Sequence, residues 1–148
     1  MAFPCRQILA AVDFHDHSLS ALEVAAQLAR QSDGEVTLLH IVPMDEPIGG
    51  KMYDDDFKLQ AEKDAERLAE LAPPLLKGVR YSILTEIGDP ATAILDTARN
   101  KAADVIVMGT HGRKALMKVL MGSVAEQVLR DAPCPVIVVR IEKKTNSS

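Results

Sequence analysis

The chain has 148 residues, 47% of them hydrophobic and 26% charged, with a formal net charge of −4 at pH 7; this fits one α/β domain large enough to bury a core of its own. An excess of acid, and aromatic residues at 3% with no Trp, exclude the basic face and the stacking platforms of a nucleic-acid binder. The apolar run Ile8 to Val12 stops at Asp13, too short for a membrane span or a secretory leader, so the expectation is a cytoplasmic protein without membrane contact.

Strand and helix signals alternate along the chain. Gln7 to Asp13 is a short β-prone run, and Ser18 to Gln31 carries Leu19, Leu22, Ala25, Ala26, Leu28 and Ala29 at helical spacing. Glu35 to Val42 is the second strand. A loop from Met44 to Tyr53, with Pro47 and Gly49-Gly50, is a candidate lid; a charged helix follows from Asp54 to Leu71, ended by Pro73-Pro74. The acidic triplet Asp54-Asp55-Asp56 suits a first helical turn better than a metal site. Val79 to Glu86 is the third strand. Asp89-Pro90 reads as an N-cap with Pro at the first helical position, opening a helix through Asn100. Asp104 to Met108 and Pro135 to Arg140 complete five strands, and Lys143 to Ser148 reads as a disordered tail. The alternation implies a single doubly wound domain: a parallel sheet with helices on both faces. Ligands of such sheets bind beyond the carboxyl ends of the strands, where the strand order reverses.

The sequence between the fourth strand and the last helix carries the main functional signal. Gly109, Gly112 and Gly122-Ser123 form the series G-x2-G-x9-G-S. Glycines let main-chain amides approach an anion, and the helix that follows offers free N–H groups and the positive end of its dipole. Neither GxxxxGK[ST] nor GxGxxG occurs, so this is neither a Walker loop nor a dinucleotide fingerprint. The competing reading makes Gly109 and Gly112 a surface turn and Ser123 an N-cap. Asp13 ends the first strand. If the first and fourth strands are neighbours, its carboxylate faces the glycine loop and can accept hydrogen bonds from ribose hydroxyls; otherwise it caps the first helix, a role open equally to Asp16 or Ser18.

Other polar residues add alternatives. Arg113, Lys114 and Lys118 can offset polyphosphate charge or form a solvated face. His111 lies between glycines, with His15 and His17 close after Asp13; three imidazoles can border one crevice, but Mg or Mn prefers phosphate oxygens, water and carboxylate. His40 falls in a buried strand and reads as a satisfied core histidine. Cys5 and Cys134 show no metal or CxxC spacing and read as small packing residues.

Asp13 after an apolar strand, Leu38-Leu39-His40-Ile41-Val42, Gly88-Asp89-Pro90, the glycine series and the ending Cys134 to Arg140 together resemble the universal stress protein family, over about residues 6–140. The glycine series resembles that of the family's ATP-binding members. The resemblance implies a Rossmann-like sheet in the order 3-2-1-4-5, a homodimer, and an ATP site between strands one and four, with Mg or Mn held through the phosphates. By the same resemblance Asp13 binds ribose, the backbone around Ile41 and Val42 meets adenine, and Gly109, Gly112, Gly122, Ser123 and Val124 line the phosphate path; His111, Arg113, Lys114 and Lys118 are further phosphate contacts.

In that strand order the last strand is an edge, and Val136-Ile137-Val138-Val139 is apolar on both faces, which invites pairing with its twin; the alternative is a monomer whose own tail shields the strand. The third strand, Arg80 to Thr85, mixes in polar residues and tolerates water. Phosphoryl transfer could draw on His111 as a base and Ser123 as a phosphoacceptor, but no Walker aspartate or arginine-finger context assigns either role. The expected function is therefore an ATP-binding stress-response dimer that acts on an unknown regulatory protein, with a slow ATPase or self-phosphorylating enzyme, or a nucleotide-free scaffold, as alternatives.

Overall fold

The computed structural model describes residues 5–14, 16–44, 54–109 and 122–140. Within them the chain runs β1 (Gln7–Ala11), α1 (Asp16–Ser32), β2 (Glu35–Pro43), α2 (Asp54–Leu75), β3 (Arg80–Gly88), α3 (Pro90–Asn100), β4 (Val105–Gly109), α4 (Ser123–Asp131) and β5 (Val136–Val139). The five strands pair in parallel in the order β3-β2-β1-β4-β5. The order reverses between β1 and β4, which are neighbours as the Asp13 argument required.

Alternation along the strands divides the core between two faces. Ile8 and Ala10 of β1, Val36 and Leu38 of β2, and Val105 and Val107 of β4 pack with Ala21, Leu22, Ala25, Ala26 and Ala29 of α1 and with Leu68, Ala72 and Leu76 in and after α2. Their neighbours Leu9, Leu39, Ile41, Ile106 and Met108 point the other way, onto Ala91, Ile94, Leu95 and Ala98 of α3 and Ala125 and Val128 of α4. The inner strands are buried on both faces, which is why they read as unbroken apolar runs. On α1 the buried stripe is Ser18, Ala21, Leu22, Ala25, Ala26 and Ala29, with Leu19 and Leu28 only half-buried.

One predicted boundary shifts clearly. Helix α2 continues through Pro73 and Pro74 to Leu75. Both prolines are exposed, while Ala72 and Leu76 on either side are buried. The Leu76 N–H still reaches the Ala72 carbonyl at 2.8 Å, and the Arg30 guanidinium donates to the carbonyls of Leu75 (3.3 Å) and Lys77 (3.1 Å). Burial and this external donor outweigh the missing proline N–H groups. Helix α3, in contrast, starts as read: Asp89 is its N-cap, its carboxylate accepting the Thr92 N–H at 3.0 Å and hydroxyl at 2.7 Å.

Cys5 packs on the α1/α2 face and Cys134 against the α3/α4 face. They lie across the sheet from each other as free thiols, and burial, then the nearby Asp104 charge, pushes both thiols up from their ordinary value.

Candidate functional site

The site is framed by the carboxyl ends of β1, β2 and β4 and the start of α4. The pairs Ile8–Val105, Leu9–Ile106 and Ala10–Val107 set β1 beside β4, so Asp13 and Gly109 leave the sheet side by side at the switch point. Asp13 and Gly109 are both half-buried. Gly122 is the N-cap of α4, extended at φ −64° and ψ 159°, with no side-chain cap, and its carbonyl accepts the first helical bond from Glu126 at 3.0 Å. Ser123 is therefore the first helical residue, not the cap, which removes one of the two readings given for it. It is exposed, and Val124 behind it is half-buried on the α3/α4 face. The uncapped start of α4 leaves its first N–H groups for an anion, although Glu126 places an exposed acid in the same turn.

Ile41 and Val42 lie where β2 outruns β1. The last link from β1 is the Val12 N–H to the Leu39 carbonyl at 2.9 Å. Main-chain polar groups alternate sides along a strand, so Ile41, two residues on, turns its own toward the place where β1 departs. Val42 is buried with Phe57 and Ala61 of α2, and Ile87 packs on them.

Beyond Val12, the β1 end is held by side chains. The Asp13 N–H donates to Ser18 Oγ at 2.6 Å, and the Ser18 hydroxyl reaches the Ala11 carbonyl at 3.4 Å. The Val12 carbonyl accepts from His40 Nδ1 at 2.7 Å, and His40 Nε2 pairs with Asp64 Oδ2 at 2.8 Å. Gln60 donates to the other Asp64 oxygen at 2.9 Å. Phe14, left-handed at φ 71°, lies edge-to-face with the His40 ring, the centroids 4.9 Å apart and the planes at 60°, and receives the Arg67 guanidinium over its face at 4.3 Å. His40 is buried and satisfied, as its place in an apolar strand suggested.

The sequence reading missed its partner. Asp64 falls on the buried stripe of α2 between Ala61 and Leu68, and a carboxylate in an apolar stripe facing a histidine in an apolar strand is the pattern that would have revealed the pair.

Thr110, His111, Gly112, Arg113, Lys114 and Lys118 lie outside the described residues, as do His15, the loop residues 45–53 and the tail 141–148. Among the described residues no three His, Cys, Asp or Glu side chains gather to hold a metal ion, and Asp55 and Asp56 are exposed in the first turn of α2. Two cavities lie at the opposite, amino end of the sheet: one of about 370 Å³ borders Arg30, Gly34 and Arg80, and another of about 310 Å³ borders Arg6, Glu35 and Arg80. Their guanidiniums at Arg30 and Arg80 are spent on main-chain carbonyls, so they offer little to a ligand. No described helix is long and apolar enough to cross a membrane.

Fold and strand-end geometry define a doubly wound α/β protein whose strand order reverses between β1 and β4. The universal stress protein family model matches residues 4–140, and the chain belongs to that family. It is 35% identical over 144 residues to the universal stress protein MJ0531 of Methanocaldococcus jannaschii, covering 94% of this chain and 84% of the relative. Among solved structures it resembles the hypothetical protein MJ0577, with TM-score 0.83 and 26% identity, covering 95% of this chain and 99% of that one. It also resembles the universal stress protein from Archaeoglobus fulgidus in complex with dAMP, with TM-score 0.65 and 25% identity over 93% and 99% of the two chains.

Proposed function

We propose that this protein binds an adenine nucleotide, ATP above all, in the crevice beyond β1 and β4, and acts as a nucleotide-dependent regulatory dimer. The observation that supports the reading is the reversal of strand order between β1 and β4, whose carboxyl ends lead to Asp13 and Gly109, with the uncapped start of α4 next in the described chain after Gly109. Asp13 accepts the ribose hydroxyls, and the main chain at Ile41 and Val42 meets the adenine. The phosphates run along Gly109, Gly112, Gly122, Ser123 and Val124, with His111, Arg113, Lys114 and Lys118 as further contacts. Mg or Mn rides on the phosphates. The Archaeoglobus relative solved with dAMP supports an adenine nucleotide as the ligand class.

Residues 6–140 act as one domain, located in the cytoplasm, where two free cysteines on opposite faces are at home. Two copies join through β5: Val136, Ile137, Val138 and Val139 are each half-buried on a strand that pairs only with β4 among the described strands. The nucleotide state then alters which regulatory protein the dimer meets. The role in this reading is binding, with hydrolysis slow if present.

Titration calorimetry with Mg-ATP tests the assignment. Asp13→Ala and Gly122→Val should each weaken binding about tenfold or more, since the first removes a charged acceptor and the second puts a side chain into the phosphate path. Unchanged affinity in Gly122→Val removes the glycine series from the site. Steady phosphate release that scales with the protein would move the reading to an ATPase.

A further inference from the structure

Asp13 follows a peptide unit whose two polar groups are both taken by side chains from elsewhere in the fold. Its N–H is bonded to Ser18 Oγ of α1 at 2.6 Å, and the carbonyl of the same peptide, that of Val12, is bonded to His40 Nδ1 of β2 at 2.7 Å. A carbonyl only accepts, so Nδ1 carries a proton. Nε2 shares a proton with Asp64 of α2, which Gln60 holds from its other oxygen. His40 and Ser18 are 6% and 3% exposed, so neither bond is exchanged cheaply for water.

Sheet pairing fixes β1 only as far as the Val12 N–H, and Phe14 already turns left-handed at φ 71°. The plane of the Val12–Asp13 peptide, and hence the direction in which Asp13 leaves the sheet, is set at the point where ladder bonds stop.

We infer that Ser18 and His40, with Asp64 behind it, are positioning residues that clamp the Val12–Asp13 peptide and aim the Asp13 carboxylate at the ribose. The inference rests on the nucleotide reading above and assigns to buried residues of α1, β2 and α2 a part in ligand discrimination.

The test compares binding of Mg-ATP with Mg-2′,3′-dideoxy-ATP, which lacks both ribose hydroxyls, in the full chain. A correctly aimed carboxylate makes the natural ribose preferred by about tenfold or more. Ser18→Ala and His40→Gln should pull that ratio down to about threefold or less. His40→Asn, whose amide nitrogen falls near the position of Nδ1, should keep it. General loosening of the fold would weaken both nucleotides alike and leave the ratio intact.

Asp13→Ala supplies the benchmark. If it abolishes the preference and Ser18→Ala and His40→Gln do not, the clamp is overturned while the ribose role of Asp13 stands. If Asp13→Ala leaves the preference unchanged, the ribose role itself fails.

A second measurement needs no nucleotide. Amide hydrogen exchange at Asp13 should quicken about fivefold or more in Ser18→Ala, while the Leu39-bonded amide of Val12 keeps its rate. Equal exchange at Asp13 in both proteins refutes the clamp even if no nucleotide binds.

Discussion

Replacing Gly34 by Ala should destabilise the protein through a contact at the far end of the sheet from the crevice. A methyl group there would run into the Cys5 carbonyl oxygen and stand 3.0 Å from the Arg6 carbonyl oxygen and 3.1 Å from Arg6 Cα. These are main-chain atoms and cannot swing aside as a side chain would. The position is also tied: the Gly34 N–H closes α1 on the Ala29 carbonyl at 2.9 Å, and the next residue, Glu35, donates to the Arg6 carbonyl at 2.8 Å. Relief therefore stretches the first bond between β2 and the start of β1.

Overpacking of this kind costs about 1–3 kcal/mol, and a weakened backbone bond adds about 1 kcal/mol. The stiffer unfolded chain of an Ala variant returns about 0.4–1 kcal/mol. The net loss of about 1–3.6 kcal/mol should lower Tm by about 2–14 °C, at about 2–4 °C per kcal/mol for a chain near this size. Calorimetric melting beside Gly78→Ala separates the causes. Gly78 sits at φ +78° with nothing within 4 Å of an added Cβ, so it carries only the left-handed penalty of about 1–2 kcal/mol, partly offset by the same unfolded-chain effect. A Gly34→Ala protein as stable as the wild type would refute the steric reasoning.

Three shorter tests concern the α3 cap, the sheet edge and the thiols. The Thr92 N–H, and after it the Thr92 hydroxyl, hold the Asp89 carboxyl below its ordinary value, so its contribution is present above about pH 4 and lost as the pH falls through the lower folded value; Asp89→Ala should cost about 1 kcal/mol near pH 7, Asp89→Asn little, and a gap to Ala that stays constant down to about pH 2 would contradict the assignment. The Ile106 N–H bonds the Pro135 carbonyl at 3.0 Å, which in parallel register commits Ile137 and Val139 to β4 and turns the polar groups of Val136 and Val138 to the open edge; Val138→Pro should then leave a folded monomer by sedimentation, and a retained dimer would place the interface elsewhere. Cys5, at 4% exposure and with its thiol pushed up by burial, should react with a thiol reagent only on unfolding, and rapid native labelling would contradict its packing.

What the sequence revealed follows from the range of the interactions concerned. Asp89-Pro90 states a local rule completely, and the structure begins α3 where that rule says. The strand order follows from the glycine series and the other residues that carried the family resemblance; periodicity gave the alternation but no order. The end of α2 was misread because proline is a local signal, whereas Leu76 burial and the Arg30 donor come from elsewhere in the fold. His40 could be assigned to the core from its neighbours in β2, yet its partner is Asp64 on the following helix, and only tertiary packing brings them together. Ser123 was ambiguous because Ser serves equally as a cap or as a first helical residue, and the backbone at Gly122 decides between them.

The most direct test of the account is the melting temperature of the nucleotide-stripped protein with Mg-ATP, with Mg-GTP and with neither. At about a hundredfold excess over Kd, binding contributes roughly 2.7 kcal/mol and should raise Tm by about 5–11 °C. The account expects that rise with ATP and none with GTP. Equal shifts would contradict adenine recognition at Ile41 and Val42, and no shift with either nucleotide, after bound nucleotide is shown to be absent, would reduce the glycine series to a structural turn.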